Sequence, residues 1–413
     1  MPAQTTVVTG GNDRASLPIP EPDLTPQEML ERAEAMRPQL RQRQRATEEA
    51  GNMSVEANAE LVDAGFFRIV QPRMFGGYEF DLPTYVNVMM EISRGCPESG
   101  WVLALTSGHM FQLATFPIEG LRDVFGEHGE VRAPEVTAPP GKAVPVEDGY
   151  RVTGAWDYAS GSAHATHIIV VVGVTDDPQG RLIMAIVDRD DFTIENNWKV
   201  FGMQGTGSDR VIVKDVFVPE MRTKSLFMPT DGQRQLPDRE LFDNPLYFGP
   251  YRTFVVGESS SVLVGAAEGA LDCYEDVFRN RTMFPVGVTR SELAEYQYNF
   301  GRCRSLIDTA KAALMHTAHQ YMNVAQAIYD GKPTDPEAER RMCLVQLEAI
   351  ELAWQAVAIM FRTAGSSHAH HAAPLGRYWR NISVLRGHLA HQSDTSAINY
   401  GRVHFGLPAV GLG

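Results

Sequence analysis

Residues 149–161 read GYRVTGAWDYASG, and the reading of this stretch decides the fold. Tyr150, Val152 and Gly154 alternate with Arg151, Thr153 and Ala155 at the two-residue period of a strand, and Trp156 and Tyr158 continue one face of it. At Ala159-Ser160-Gly161 the side chains shrink. A glycine beside a serine lets backbone come close to a flat ligand while hydroxyl and amide offer hydrogen bonds, although Ser-Gly is equally an ordinary hairpin corner.

Strand patterns surround this stretch at 144–146, 167–173, 182–187, 192–200 and 211–218, and residues 168–172 are β-branched on both faces, as in a strand at the centre of a packed sheet. They predict an all-β middle domain over residues 131–240. Within it, residues 198–219 read WKVFGMQGTGSDRVIVKDVFVP. Gly202, Gly205 and Gly207 interleave with Thr206 and Ser208, a loop of amides and hydroxyls suited to a polar ligand edge or a phosphate. It lacks the Gly-Lys-Ser/Thr ending of a Walker loop, and a strand rather than a helix follows, so it is not a Rossmann turn. A glycine-rich hairpin would read the same way.

Before the β region the texture is helical. Thr25 with Glu28 forms a capping box around Pro26, and Met29, Leu30, Ala33, Met36 and Leu40 follow at helical spacing. Further helices are expected from Ser54 and over 81–93, 98–116 and 117–126, giving a helical domain over 24–130 behind a flexible leader, residues 1–23. After the β region, four long helices over 253–278, 289–329, 335–364 and 377–401 predict an antiparallel bundle within 241–413.

The 413 residues carry a net charge of -14. The richest basic run, 37–45, lies among Glu31, Glu34, Glu48 and Glu49, which argues against a nucleic-acid partner. Four cysteines lie far apart without CxxC or zinc spacing, so they are expected to be reduced and no metal is expected. No stretch approaches the ~18 apolar residues of a membrane span, and the N-terminus lacks the charged and apolar regions of a signal peptide. A cytoplasmic protein is the expectation.

The order of helical domain, β domain and bundle, together with AWDYASG, GMQGTGS and VFVP, resembles the acyl-CoA dehydrogenase architecture from about Leu24 to Leu412. The fold class implied is α+β: an N-terminal helical domain, a middle β-barrel or sandwich and a C-terminal four-helix bundle. The commonest dehydrogenases place a Tyr-Glu-Gly-Thr base eight or nine residues after an arginine-aspartate pair. Here Arg380-Asn381 is followed by Arg386-Gly387-His388-Leu389-Ala390-His391, with Leu389 at the glutamate position. The sequence is therefore more similar to the oxygenase components of two-component flavin monooxygenases, which carry a histidine at this point of the last helix.

That resemblance implies reduced flavin, FMNH2 or FADH2, delivered by a separate NAD(P)H-flavin reductase, and O2 as co-substrate for hydroxylating an aromatic or phenolic molecule. It places Trp156, Tyr158, Ser160, Gly161, Gly205, Thr206, Ser208, Arg281 and His388 at the cofactor, with Ser160 presenting its hydroxyl to the reactive ring nitrogen. His388, Ser160 and His109 take catalytic roles, with His388 managing a proton. Trp101, His109, Arg252 and His391 are expected around the substrate. Arg281, Phe284 and Gln297 resemble a segment that meets a neighbouring subunit's flavin, implying a homotetramer. Gly365-Ser366-Ser367-His368 replaces the usual adenine-side glycine pattern and favours FMN. The alternatives are an FAD-dependent dehydrogenase or desaturase, an S- or N-oxygenating monooxygenase on the same frame, and a non-catalytic scaffold.

Overall fold

The computed structural model describes residues 16–226, 236–283, 287–333, 335 and 337–410. The N-terminal part contains α1 (Pro26–Ala50), α2 (Val55–Asp63), α3 (Leu82–Gly95), α4 (Pro97–Gly108), α5 (Met110–Leu113) and α6 (Ile118–Phe125). The Thr25 capping box is fully formed, with the Thr25 side chain accepting from Glu28 N–H and the Glu28 carboxylate accepting from Thr25 N–H. The single helix expected over 98–116 is divided at His109. Residues 16–23 belonged to the expected leader, yet they lie against this part: Leu17 pairs with Phe75 and its N–H donates to Met74 O at 3.0 Å.

The middle part contains β1 (Glu135–Val146), β2 (Gly149–Ala159), β3 (His167–Val174), β4 (Leu182–Asp188), β5 (Phe192–Glu195), β6 (Asp209–Pro219) and β7 (Thr223–Ser225). They form one sheet in the order β5-β6-β2-β1-β3-β4-β7. The β1 and β3 pair is parallel and the others are antiparallel. Its curl encloses a core of its own, into which Val152 and Trp156 of β2, Ile168, Val170 and Val172 of β3, and Val211 and Val213 of β6 all point. The alternate residues of β3, Ile169 and Val171, join the helical core instead, which explains why that strand is β-branched throughout. The strand expected over 192–200 stops at Glu195 because Asn197 and Trp198 turn their backbone N–H groups to Asp209 Oδ1, at 2.9 and 3.0 Å.

After the sheet come α7 (Tyr251–Asn280), a small ribbon of β8 (Thr282–Met283) and β9 (Val288–Thr289), then α8 (Ala294–Tyr329), α9 (Ala338–Ala364), α10 (Pro374–Arg386) and α11 (Ser393–His404). The long helices α7, α8 and α9 pack together, α7 nearly wholly buried between the other two and α3. The fourth helix of the expected bundle is broken. It ends at Arg386, and α11 restarts it beyond a short turn that carries His388 and His391.

Candidate active site

The end of β2 is folded onto the glycine-rich loop. Gly161 adopts φ +76°, a conformation glycine takes without strain, and its N–H donates to Thr206 O at 2.9 Å. This brings three hydroxyls into one row. Ser160 Oγ lies 2.8 Å from Ser208 Oγ, which lies 2.7 Å from Thr206 Oγ1, which donates to Met203 O at 2.8 Å. All three are buried. Trp101, one turn into α4, donates its indole N–H to Ser160 Oγ at 3.2 Å. The same indole meets the His388 ring edge to face, with centroids 5.1 Å apart. Residues from all three parts of the chain thus converge on one spot.

His388 is not on a helix, contrary to the sequence expectation. Gly387 closes α10 in a tightened turn, its N–H donating to Val384 O, and a glycine there gives little support to a continuing helix. His388 is extended at φ -63°, ψ 146°, and its Nδ1 accepts Ala390 N–H at 3.2 Å. With Nδ1 acting as acceptor, the neutral ring carries its proton on Nε2. His388 is exposed at the surface, and the desolvation of its ring by the groups packed around it pushes its pKa below the ordinary value.

His391 lies behind it, ring centroids 5.4 Å apart, and is buried. Its Nδ1 donates to Leu385 O at 2.7 Å, so its Nε2 accepts from Ser259 Oγ of α7 at 2.8 Å. Burial, with His388 adding to it, pushes the imidazole pKa down to about 3. Both nitrogens are spent on the fold. His391, expected beside the substrate, is instead buried and holds the turn against α7.

The glycine-rich loop is gripped from three sides by residues that the sequence did not single out. Gly205 N–H donates to Glu98 Oε1 of α4 at 2.8 Å, and Met203 N–H donates to Asn381 Oδ1 of α10 at 2.7 Å. Asn52, just after α1, bridges to Thr206. Side chains are excluded: a Cβ on Gly205 would lie 2.5 Å from Thr47 Cγ2, and one on Gly202 2.4 Å from Arg380 O. Burial pushes the Glu98 carboxyl up to about 7. Beside it, burial alone would raise Glu48, but hydrogen bonds from Arg377 and Arg380 hold it below the usual carboxylate range. Pro97-Glu98 reads as an ordinary acidic first turn, and Arg380-Asn381 served in the sequence only as a landmark. Nothing in their spacing signals these partners.

Other expected residues are placed elsewhere. Trp156 fills the middle core, wholly buried, with Nε1 donating to Val171 O at 3.3 Å. Gly141 and Gly154 make room for its ring, since a Cβ on either would come within 2.5 Å of the indole; it is closed to a cofactor. Tyr158, at φ +68°, is 69% exposed and packs edge to face on Trp198 at 5.6 Å. It does not continue the Trp156 face, because the β2–β6 register shifts between Trp156 and Ala159. His109 donates Nδ1–H to Ala133 O at 2.8 Å, at the point where α4 gives way to α5.

Arg252 reaches Ser396 of α11 with Nη2 at 2.8 Å, and its N–H donates to Glu339. It shares a stripe of α7 with Ser259, two turns or about 10 Å along the axis. Arg281 sits at the far end of α7, where Nη1 donates to Ser367 Oγ at 2.5 Å; no contact joins it to the hydroxyl row. Gln297 donates to Ser291 O. Phe284 lies outside the described residues.

The hydroxyl row suits the polar edge of a flat heteroaromatic ring. Ser160 and Ser208 are neutral, and the backbone beside them is stripped of side chains at Gly161 and Gly207, where a Cβ would strike Val102 at 2.6 Å and Asn52 Oδ1 at 1.7 Å. A reduced flavin ring fits that chemistry. Among the described residues no group of histidine, cysteine and carboxylate side chains could hold a metal.

Comparison with known proteins defines the class first. Residues 27–123 match the N-terminal domain of acyl-CoA dehydrogenase and residues 258–393 its C-terminal domain. A pigment production hydroxylase of Rhodococcus sp. (strain ATCC 21145) is 30% identical over 391 residues, 94% of this chain and 98% of the relative. The HsaA oxygenase subunit of a flavin-dependent monooxygenase from Rhodococcus jostii (strain RHA1) is 29% identical over 92% of this chain and 98% of its own. XiaF from Streptomyces sp., solved in complex with FADH2 and glycerol, superposes with a TM-score of 0.83 at 25% identity over 94% of this chain and 97% of that one. The chain belongs to the flavin-dependent monooxygenase oxygenase components built on the acyl-CoA dehydrogenase fold.

Proposed function

We propose that this oxygenase component hydroxylates a phenolic or related electron-rich aromatic molecule, using O2 and reduced flavin delivered by a separate NAD(P)H-flavin reductase. The observation that carries the reading is the placement of Trp101, which hydrogen-bonds Ser160 and packs on His388, while the dehydrogenase-base position is held by the exposed, apolar Leu389. Reduced flavin, when bound, would supply the two electrons that activate O2, and O2 would supply the transferred oxygen atom. The hydroxyl row, ending at Ser160, orients the ring's polar edge. Trp101 and the apolar end of α4 exclude water. His388 presents its Nε2–H at the site's mouth and can direct that proton toward oxygen, its Nδ1 being held by Ala390 N–H. His109 and Arg252 supply polar groups on the substrate side.

FADH2 is favoured over FMNH2, a departure from the sequence leaning. His368 is buried with neither ring nitrogen hydrogen-bonded, and the Arg281 and Arg290 charges, after burial, lower its pKa. Such a cationic, under-bonded corner suits a diphosphate, and XiaF holds FADH2. In a homotetramer this corner, tied to Arg281 at the end of α7 through Ser367, would serve a neighbouring copy's cofactor. A cytoplasmic setting accords with the free cysteines.

The test is to mix chemically reduced FAD or FMN with the protein and a panel of phenols, then admit ¹⁸O2. A phenol gaining one ¹⁸O atom supports the reading. Quantitative H2O2 release with every aromatic tried would sink it.

A further inference from the structure

The hydroxyl row has a direction. Met203 O can only accept, so Thr206 must donate to it, and Trp198 Nε1–H, at 2.8 Å, fills its other lone pair. Thr206 is then the acceptor for Ser208, and Ser208 the acceptor for Ser160. At the other end Trp101 Nε1–H can only donate, and it occupies one lone pair of Ser160. Each hydroxyl has a single proton, and all three protons run toward Met203. Ser160 keeps one lone pair and no proton to offer.

We infer that Thr206 and Ser208, by fixing the direction of this row against Met203 O, make Ser160 an acceptor and so select the reduced over the oxidised isoalloxazine. The flavin nitrogen N5 carries a hydrogen when reduced and presents a lone pair when oxidised. An acceptor-only Ser160 matches the first and repels the second. To donate to oxidised N5, the row would have to reverse, and Thr206 would abandon Met203 O, whose second donor cannot make up the loss. One buried hydrogen bond forfeited corresponds to about a tenfold preference. The sequence places the Ser160 hydroxyl at the reactive ring nitrogen but gives no direction to the bond. Met203 itself is held by Asn381, so the anchor of the row is set from α10.

This inference rests on the flavin reading of the site, and binding rather than turnover tests it. Anaerobic fluorescence titrations with FAD and with dithionite-reduced FAD give the ratio of the two Kd values. In Ser208→Ala the Ser160 proton loses its acceptor and can turn to the ring, so the ratio of oxidised to reduced Kd should fall about tenfold, chiefly by tighter binding of oxidised FAD. Thr206→Val should act in the same direction, whereas Thr206→Ser keeps the row and should keep the ratio. Thermal melting establishes that each variant is folded, and either of the first two suffices. If both redox forms bind and the ratio stays at the wild-type value in the folded variants, the directional row does not select the redox state. If wild type binds neither form, the flavin reading of the site fails as well.

Discussion

Trp101 and His388 stand 287 positions apart in the chain and meet edge to face at 5.1 Å. The contact ties the proton-handling histidine to the hydroxyl row through one indole, whose N–H points to Ser160 and whose ring supports the imidazole. His388 belongs to a turn between two helices, so its aim depends on this aromatic support and on its own cap to Ala390 N–H rather than on helix geometry.

His388→Ala is expected to leave the fold intact, because the ring is exposed, while the fraction of reduced flavin that yields hydroxylated product falls and H2O2 rises. A general acid-base contribution is about 10²–10⁴-fold. Product and peroxide per reduced flavin consumed, with a melting curve as control, decide it; unchanged coupling would move the proton-handling role to another residue.

His391→Ala should do the reverse, destabilising the protein by about 2–4 kcal/mol through a cavity and two orphaned partners, Ser259 and the Leu385 carbonyl. Its pKa is depressed in the folded state, from 6.5 to about 3. Its contribution is therefore complete above pH 6.5 and is lost progressively as pH falls from there toward 3. Urea midpoints measured across that window should slope less in His391→Gln than in wild type.

Glu98 works in the opposite sense. Its folded pKa is raised from 4.5 to about 7, so the stability it contributes is complete below pH 4.5 and lost as pH rises through 7. Glu98→Gln keeps an acceptor for Gly205 N–H and cannot ionise. Its melting temperature relative to wild type should therefore climb between pH 4.5 and 8, and a flat difference would remove Glu98 as a buried titrating group.

The two tryptophans should separate cleanly. Trp156→Ala is expected to cost about 3–5 kcal/mol of stability through a void in the middle core. Trp101→Phe keeps most of the packing but deletes the N–H to Ser160, so it should melt close to wild type and release more H2O2. Denaturant unfolding and peroxide assays distinguish them, and equal effects on both readouts would contradict the placement of the two rings.

The legible parts of this structure are those governed by local chemistry. Thr25 and Glu28 encode a cap by spacing alone, and β3 shows its double burial in an unbroken run of β-branched residues. Ser160, Gly161, Thr206 and Ser208 stand out only when the two stretches are taken together, since each stretch alone reads equally as a hairpin corner, and the structure joins them through one row of hydroxyls. Trp156 and Tyr158 were misread together: alternation predicts one face, but a register shift beyond Trp156 and a left-handed Tyr158 are set by pairing with β6, which the stretch does not contain. The break at Gly387 was visible only as a glycine in a helical pattern, a weak sign. Glu98, Asn52 and Asn381 gave no sign at all, since each acts on a loop at least 100 residues away in the chain.

The grip on residues 202–208 means that the three parts of this chain are not interchangeable modules. The middle part cut out alone would retain its own core, yet the loop would lose Thr47 and Asn52 on one side, Glu98 on the second and Asn381 on the third. Without Asn381 the Met203 N–H loses its acceptor, and the residue whose carbonyl anchors the hydroxyls is held less firmly. Transplanting this β domain into a relative would carry over the residues that face the cofactor and leave behind those that aim them, so an exchange of parts between such enzymes should respect the joints of the loop rather than the boundaries of the domains.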